Sequence, residues 1–338
     1  MQPITIGLDL AKTVFQVHGV AANGEAVIRR KLRRSEVIGF FQDQAPCLIG
    51  MEACASAHHW ARELSGFGHT VRLMPATYVK PYAKRGKSDA IDAEAICEAV
   101  TRPTMRFVEI KSVDQQSVIM LHRTRDLLVR QRTMLSNAQR GHLSEFGIVG
   151  AKGIWRLPDL ATSEPVCRLP DLARECVELI VAQIEDLERR IAAVDRSIAE
   201  WHRKSEFSRR LETIPGIGVI TASAIAAIVT DAGVFKSGRQ FAAWIGLTPR
   251  ISGTGGKIQL GRITKAGDRN LRRLLVLGAT SLVHYARKSP EKSPWIAALL
   301  ARRPVRVVTV AIANKLARTA WALLSRGEDY RRPDLVVA

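Results

Sequence analysis

The stretch ITIGLDLAKTVFQVHGVAANGEAVIRRKL, from Ile4 to Leu32, decides the fold class predicted for this chain. An apolar strand-like run leads to the pair Asn23-Gly24, and a second run of alternating character follows it. Asn-Gly between two such runs is the strongest short-range signal for a β-hairpin. We therefore expect the chain to open with a hairpin whose turn lies at ANGE.

Strands and helices alternate after this opening. A helix-like segment (SEVIGFFQDQ) is followed by a short buried strand (CLIGMEA), a helix (SAHHWARELSGFG), an apolar strand (HTVRLMPA) and a helix that carries KSDAIDAEAI. Alternation of this kind predicts a mixed α/β sheet over residues 1–108. The same order, ending in an acidic helix, is the order of the RNase H-like, RuvC-type nuclease fold.

The middle of the chain, residues 109–207, has long helical periodicity and alternating charge. Apolar residues recur at steps of three and four in its second half: Val177, Ile180, Ile184, Leu187, Ile191, Val194 and Ile198. This spacing is typical of a coiled-coil seam or an antiparallel helix pair. We expect a helical region that serves as a spacer or as an oligomerisation arm.

The composition describes a strongly basic chain. Its 51 Lys and Arg residues exceed its 32 Asp and Glu residues, so the formal net charge is +19. Such a surface attracts polyanions, and nucleic acid is the leading partner because Lys and Arg that neutralise phosphates release condensed counterions. A soluble protein that is merely basic is the alternative interpretation.

Membrane and exported proteins are disfavoured as classes. Hydrophobic residues make up 46% of the chain, without an apolar run close to the ~20 residues that a membrane span needs. The 5 cysteines are scattered and form no C-x-x-C pair, which indicates reduced thiols. The N-terminus has no charged-then-apolar signal segment. We expect a cytoplasmic protein without membrane association.

Four carboxylates are candidates for a metal site. Asp9 lies in an apolar strand, Glu52 ends a buried strand, and Asp89 and Asp92 are three residues apart on one helix face. Carboxylates that converge from separate elements hold the Mg²⁺ or Mn²⁺ ions of two-metal phosphoryl transfer. The alternatives are that Asp89 is only a helix N-cap and that Asp92 is only an early acidic residue favoured by the helix dipole.

Cations just before this helix favour an anionic strand at the same place. Lys84, Arg85 and Lys87 precede the two aspartates. A divalent ion would let DNA approach acidic side chains, and these cations would hold the strand there. They are our first nucleic-acid-binding candidates.

The last region, residues 208–338, is predicted to be mainly helical. Its opening contains IPGIGV, in which Gly216 and Gly218 lie between two helical segments as in a helix-hairpin-helix element. Glycines there let backbone amides approach a phosphate at a helix N-terminus. A tight structural turn explains the same residues equally well.

A Gly- and Ser-rich basic segment follows. Nine Lys or Arg and one acidic residue lie between Lys236 and Arg273. Within it, RISGTGGK offers the hydroxyls of Ser252 and Thr254 on a predicted flexible loop, although Ser and Gly in loops are usually turn formers. The loop does not match the Walker pattern, so an ATP site is unsupported. The candidates for nucleic-acid binding here are Arg250, Lys257, Arg262, Lys265 and Arg269.

The motifs together have the order of one known family. They are GLDLAK, GMEACAS and KSDAIDAEAI in the N-terminal part, then IPGIGVITASAIAA, FAAWIGLTPR, GTGGK and RITKAGDRNLRRLL. In this order they resemble the DEDD transposases of the insertion-sequence one-ten family, including its eleven-eleven branch, described as bridge-RNA-guided recombinases. The resemblance covers nearly the whole chain.

The resemblance implies specific roles. Asp9, Glu52, Asp89 and Asp92 would form the metal-binding tetrad, and Ser252 would be the catalytic serine, with Thr254 as second choice. Donor and target double-stranded DNA and a guide RNA would be the partners. The protein would act as a homo-oligomer, a dimer or tetramer, in the bacterial cytoplasm near the nucleoid.

We therefore expect a site-specific DNA recombinase of a mobile element. Two rivals remain open. A RuvC-like hydrolytic nuclease or Holliday-junction resolvase would use water as nucleophile and form no covalent adduct. A non-catalytic nucleic-acid-binding protein would tolerate replacement of Asp9 and Glu52.

Overall fold

The computed structural model describes residues 2–83 and 88–331, and the chain divides into two compact units, residues 1–112 and 113–338. In the first unit the strands are β1 (Thr5–Leu10), β2 (Val14–Val20), β3 (Ala26–Arg33), β4 (Leu48–Glu52) and β5 (Thr70–Met74). Its helices are α1 (Val37–Gln42), α2 (Ala57–Gly66), α3 (Ala76–Val79) and α4 (Asp89–Val100).

The five strands form one mixed sheet in the order β3-β2-β1-β4-β5. Strands β1, β2 and β3 are antiparallel neighbours, whereas β4 pairs parallel with β1 and β5 pairs parallel with β4. The predicted mixed α/β character of this part is confirmed.

The opening hairpin differs from the prediction in one respect. The apolar run before the turn is two strands, because the chain reverses between Leu10 and Val14. The Asn23-Gly24 turn therefore joins β2 to β3. Gly24 has a φ of 83°, which glycine adopts without strain, and the Asn23 side chain accepts a hydrogen bond from the Glu25 amide at 3.1 Å, as in an Asx turn.

The two faces of this sheet are covered differently. Ile6, Leu8, Phe15 and Val17 form a core with residues of α1 and α2, including Trp60. The opposite face carries α4, which contacts β1, β2 and β4. The acidic start of α4 is thereby brought to the sheet.

The described residues of the second unit form ten further α-helices and two further strands. They are α5 (Val113–Glu145), α6 (Leu157–Ala161), α7 (Glu164–Cys167), α8 (Asp171–Lys204), α9 (Glu206–Glu212), α10 (Val219–Ile228), α11 (Gly238–Ile245), β6 (Pro249–Thr254), β7 (Lys257–Ile263), α12 (Arg269–Lys288), α13 (Pro294–Arg302) and α14 (Val305–Arg326). Helix α10 packs on both α5 and α8. The predicted division at residue 207 is therefore not a boundary between compact units.

Helices α5 and α8 form an antiparallel pair, because Arg125 pairs with Asp195 and Arg132 pairs with Glu188. Four residues of α8 at seven-residue steps are buried: Val177, Ile184, Ile191 and Ile198. The apolar seam recognised in the sequence is thus satisfied within one chain. Self-association of the helical region stays a prediction, and the buried residues of this seam do not support it.

Helix α14 forms the centre of the C-terminal core. By length and composition it is the one helix among the described residues that could cross a membrane, with a mean hydropathy of 1.3. It packs against α11 and α12, and its buried residues include Ile312, Ala313 and Leu316. A helix that is apolar on most sides is expected in a protein core, and α14 is such a helix.

Candidate functional site

Asp9 and Glu52 lie side by side at the carboxyl ends of two parallel strands. Leu8 of β1 is paired with Met51 of β4, so the next residue on each strand is a carboxylate. Side chains at paired positions of neighbouring strands point to the same face. The structure thus brings these two predicted residues together.

Two glycines allow α4 to lie close above the carboxylates. A Cβ at Gly7 would be 2.1 Å from the Ala93 carbonyl oxygen, and a Cβ at Gly50 would be 2.7 Å from the Val100 Cβ. Asp9 and Glu52 follow these glycines by two residues and therefore share their face.

Two short sequence patterns, Gly-x-Asp in β1 and Gly-x-Glu in β4, could have predicted this arrangement. In each, a missing side chain admits a helix and the next residue on that face is acidic.

The first turn of α4 supplies the other two carboxylates. Ser88 is the N-cap, and its hydroxyl accepts a hydrogen bond from the Ile91 amide at 3.4 Å. Asp89 is therefore the first helical residue, and its interpretation as the N-cap is wrong. Asp89 and Asp92 both lie where the helix dipole favours negative charge.

The electrostatics show that the carboxylates interact. Burial, the strongest cause, together with the charges of Asp92 and Asp89, raises the pKa of Asp9 from 3.8 to about 6. Burial also raises the pKa of Glu52, with further contributions from Asp9 and Asp92. Like charges held together in a partly buried place favour protonation or a bound cation.

The donor set fits a divalent ion. Within residues 2–83 and 88–331 no Lys, Arg or His nitrogen lies within 4.0 Å of these four carboxylates, and no three potential ligands form a ready-made metal cluster. Carboxylate oxygens are what Mg²⁺ and Mn²⁺ prefer. A hard cation would thus relieve a repulsion that no described basic side chain neutralises. Lys84, Arg85 and Lys87 lie outside the described residues.

Ser252 lies on a strand and not on the flexible loop that we expected. Strands β6 and β7 form a two-stranded ribbon, in which Ser252 pairs with Gln259 and Thr254 pairs with Lys257. Gly255 and Gly256 have φ values of 56° and 78°, as a two-residue hairpin turn requires. The alternation of RISGT and KIQLG around Gly-Gly was the signal for this ribbon.

The ribbon has a polar and an apolar face. Ser252, Thr254, Lys257 and Gln259 share one face through their pairing, in which Thr254 is opposite Lys257 and Ser252 is opposite Gln259. The other face carries Ile251, Ile258 and Leu260, whose exposed fractions are 72%, 73% and 69%. All residues of β6 are exposed, and Ser252 is accessible to a large substrate.

Comparison with known proteins decides the family. The DEDD transposase model of the IS110 group matches residues 6–148, and a model described as "Transposase IS116/IS110/IS902 family" matches residues 208–294. The chain belongs to this transposase family.

Similar proteins match nearly the whole length of this chain. The chain is 50% identical to the "Probable family 20 transposase" of Pseudomonas aeruginosa, over 96% of this chain and 98% of the relative. It is 40% identical to the "Transposase for insertion sequence element IS1328" of Yersinia enterocolitica, over 97% and 98%. It is 38% identical to the "Transposase for insertion sequence element IS1111A" of Coxiella burnetii, over 96% and 91%.

The protein is therefore a transposase of an IS110-family insertion sequence, an enzyme that acts on DNA. The matched DEDD region contains all four carboxylates at the sheet end. DEDD transposase domains are in general RNase H-like, and three antiparallel strands followed by two parallel ones agree with that arrangement.

Hydrogen bonds and close backbone packing hold the base of the β6–β7 ribbon of the transposase. Gly246 has a φ of 81°, and a Cβ there would lie 2.3 Å from the Ala266 carbonyl oxygen. The Lys265 amide donates to the Gly246 carbonyl at 3.1 Å. Arg272 donates to the carbonyls of Ile245 and Ala266 at 2.8 and 2.7 Å. These contacts fix the loops from which β6 and β7 emerge.

The remaining nucleic-acid candidates are found on the surface or in a packed turn. Arg250, Lys257, Arg262, Lys265 and Arg269 are exposed. Gly216 has a φ of 88°, and a Cβ on the neighbouring Gly278 of α12 would be 1.9 Å from the Gly216 carbonyl oxygen. This close approach supports the structural interpretation of that turn. Gly218 is exposed as the N-cap of α10, and the phosphate-binding roles of Gly216 and Gly218 both stay predictions.

Proposed function

We propose that this transposase cleaves and rejoins DNA through a carboxylate site at Asp9, Glu52, Asp89 and Asp92 and a serine nucleophile at Ser252. The observation that carries the proposal is the convergence of Asp9 and Glu52 under the first turn of α4. Carboxylates that converge from separate elements commonly form the metal-binding sites of enzymes that transfer phosphoryl groups on nucleic acid.

The four carboxylates would hold Mg²⁺ or Mn²⁺. When bound, the ions supply charge stabilisation at the scissile phosphate and lower the proton affinity of an attacking hydroxyl. The chain's own contribution is to position the ligands. Gly7 and Gly50 let α4 approach, and Ser88 fixes the start of that helix.

Ser252 would attack phosphorus directly. A bond from its Oγ to phosphorus forms as one phosphorus–oxygen bond to a deoxyribose breaks, so the number of ester bonds is conserved. The proton lost by the hydroxyl balances the proton taken up by the departing sugar oxygen. Lys257 on the same ribbon face supports negative charge on the phosphate.

The wider proposal concerns partners. The net charge of +19 supports binding of donor and target duplexes and of an element-encoded guide RNA. We include a homo-oligomer, a dimer or tetramer, and a cytoplasmic, nucleoid-associated location in the proposal. Arg250, Arg262, Lys265 and Arg269 would contact phosphates beside the ribbon.

A trapped adduct tests the nucleophile. Full-length protein is incubated with its cognate RNA, both DNA duplexes and Mg²⁺, and protein–DNA adducts are resolved under denaturing conditions. We expect an adduct with the wild type and none with Ser252→Ala, while DNA affinity changes by less than about twofold because binding and chemistry separate.

Thr254→Ala is the matched control, since Thr254 lies on the same exposed face. It should form the adduct, and an adduct peptide that maps to Thr254 would reassign the nucleophile. Asp9→Asn should bind DNA and cleave none. Cleavage by the wild type without any adduct would identify the hydrolytic nuclease, and binding without any cleavage would identify a binding protein.

A further inference from the structure

Strand β3 is an edge of the sheet and is densely basic. Residues 29–34 read RRKLRR, with a single apolar residue, Leu32, among five cations. The sheet order places β3 at the end, beyond β2. Its cations therefore lie along a sheet edge that pairs with no other strand of the described residues.

Pairing with β2 sorts these cations onto two faces. Arg30 and Leu32 are opposite Val17 and Phe15, which are buried beneath α1 and α2. Arg30 stacks over Phe40 at 5.6 Å, and Arg34 stacks over Trp60 at 5.1 Å. This set of cations is used in packing.

The other set lies on the opposite face. Arg29 is paired with His18, Lys31 with Gln16 and Arg33 with Val14. All three cations are exposed, and no carboxylate oxygen of the described residues lies within 4.0 Å of their side-chain nitrogens. The Glu36 carboxylate accepts a hydrogen bond from the Arg33 backbone amide at 2.6 Å. We call Arg29, Lys31 and Arg33 the edge strip.

The edge strip shares its face with the carboxylate site. Asp9 is paired with Gln16 on β2, and Gln16 is paired with Lys31 on β3. Asp9, Gln16 and Lys31 thus form one row across three strands. With strands ~4.8 Å apart, Lys31 lies roughly 10 Å from Asp9 along the sheet.

We propose that the edge strip binds backbone phosphates of the same DNA molecule that is cleaved at the carboxylate site of Asp9. The inference rests on the proposed function and adds a binding surface to it. Alternate residues of a strand are ~6.8 Å apart, which is about twice the ~3.4 Å axial spacing of phosphates on one DNA strand. The strip would hold the anionic strand while the acidic site remains open for its ions.

A basic edge strand also has a purely protective explanation. Charged residues, lysine above all, keep sheet edges from pairing with other chains. If protection were the only role of these cations, removing charges from either face of β3 would have the same effect on DNA affinity. Strand β3 and Arg34, the residue that follows it, therefore supply a matched comparison between the two faces.

The test compares two double variants of the full-length chain. Lys31→Gln/Arg33→Gln removes two charges from the edge strip, and Arg30→Gln/Arg34→Gln removes two charges from the other face. Affinity for a fluorescein-labelled 30-base-pair duplex is measured by anisotropy between 50 and 200 mM KCl. We expect the first variant to bind about 10- to 100-fold more weakly at 100 mM and to lose about 1.8 from the salt slope.

The control variant should keep the wild-type salt slope. Melting temperatures of both variants are recorded, and Lys31→Gln/Arg33→Gln should melt as the wild type does. Equal losses of affinity in the two variants, or weaker binding to a guide RNA with unchanged DNA binding, would overturn the proposal. Asp9→Asn separates the two proposals, since it tests cleavage at the carboxylate site whatever the strip variants do.

Discussion

At the residue scale, His122 is a buried base that the sequence pattern did not single out. Its ring bonds the Ser223 hydroxyl at 3.1 Å, and burial, with help from the charge of Arg125, lowers the pKa of His122 from 6.5 to about 4. The unfolded chain therefore takes up this proton first as pH falls, so the free energy of unfolding declines between pH 6.5 and 4. Stability from this group is complete above pH 6.5.

The expected loss on going from pH 7.5 to pH 5 is about 2 kcal/mol from His122 alone. Urea unfolding at both pH values measures it in the wild type and in His122→Gln, which keeps polar atoms but does not titrate. The variant should show a pH dependence smaller by that amount. An identical pH dependence in both proteins would contradict the buried, neutral histidine.

At the scale of elements, the pairing of α5 with α8 predicts which apolar residues matter for folding. Ile184 is 7% exposed, whereas Leu179 on the same helix is 65% exposed. Ile184→Ala should cost about 2–4 kcal/mol, because it opens a cavity in the helix pair. Leu179→Ala should change stability by less than about 0.5 kcal/mol. Urea unfolding followed by helical circular dichroism checks both, and similar costs would mean that the seam is not the interior of the pair.

At the scale of the whole molecule, the net charge of +19 predicts electrostatic binding to DNA. The logarithm of affinity should fall linearly with the logarithm of salt concentration. A protein that makes 6–10 phosphate contacts would lose about 10³- to 10⁵-fold in affinity between 50 and 200 mM salt. Anisotropy titrations of the full-length chain against a duplex measure this slope. An affinity independent of salt would remove phosphate contacts as the basis of binding.

The sequence by itself determined the local features. The Asn23-Gly24 turn, the alternation of strands with helices and the long helical periods could be predicted because each depends on neighbours in the chain. The motifs around Asp9, Glu52 and the two aspartates of α4 were sufficient to nominate all four carboxylates. Their motif order also pointed to the transposase family that the comparisons show.

Only the tertiary structure decided which of these residues meet and which face each side chain takes. The proximity of Asp9 to Asp92 depends on Gly7 admitting α4, and the register of β3 against β2 decides that Lys31, and not Arg30, shares the face of Asp9. Ser252 faces the same way as Lys257 for the same reason. Strand register and helix docking are set by long-range packing, and a shift of one residue would send every side chain to the opposite face.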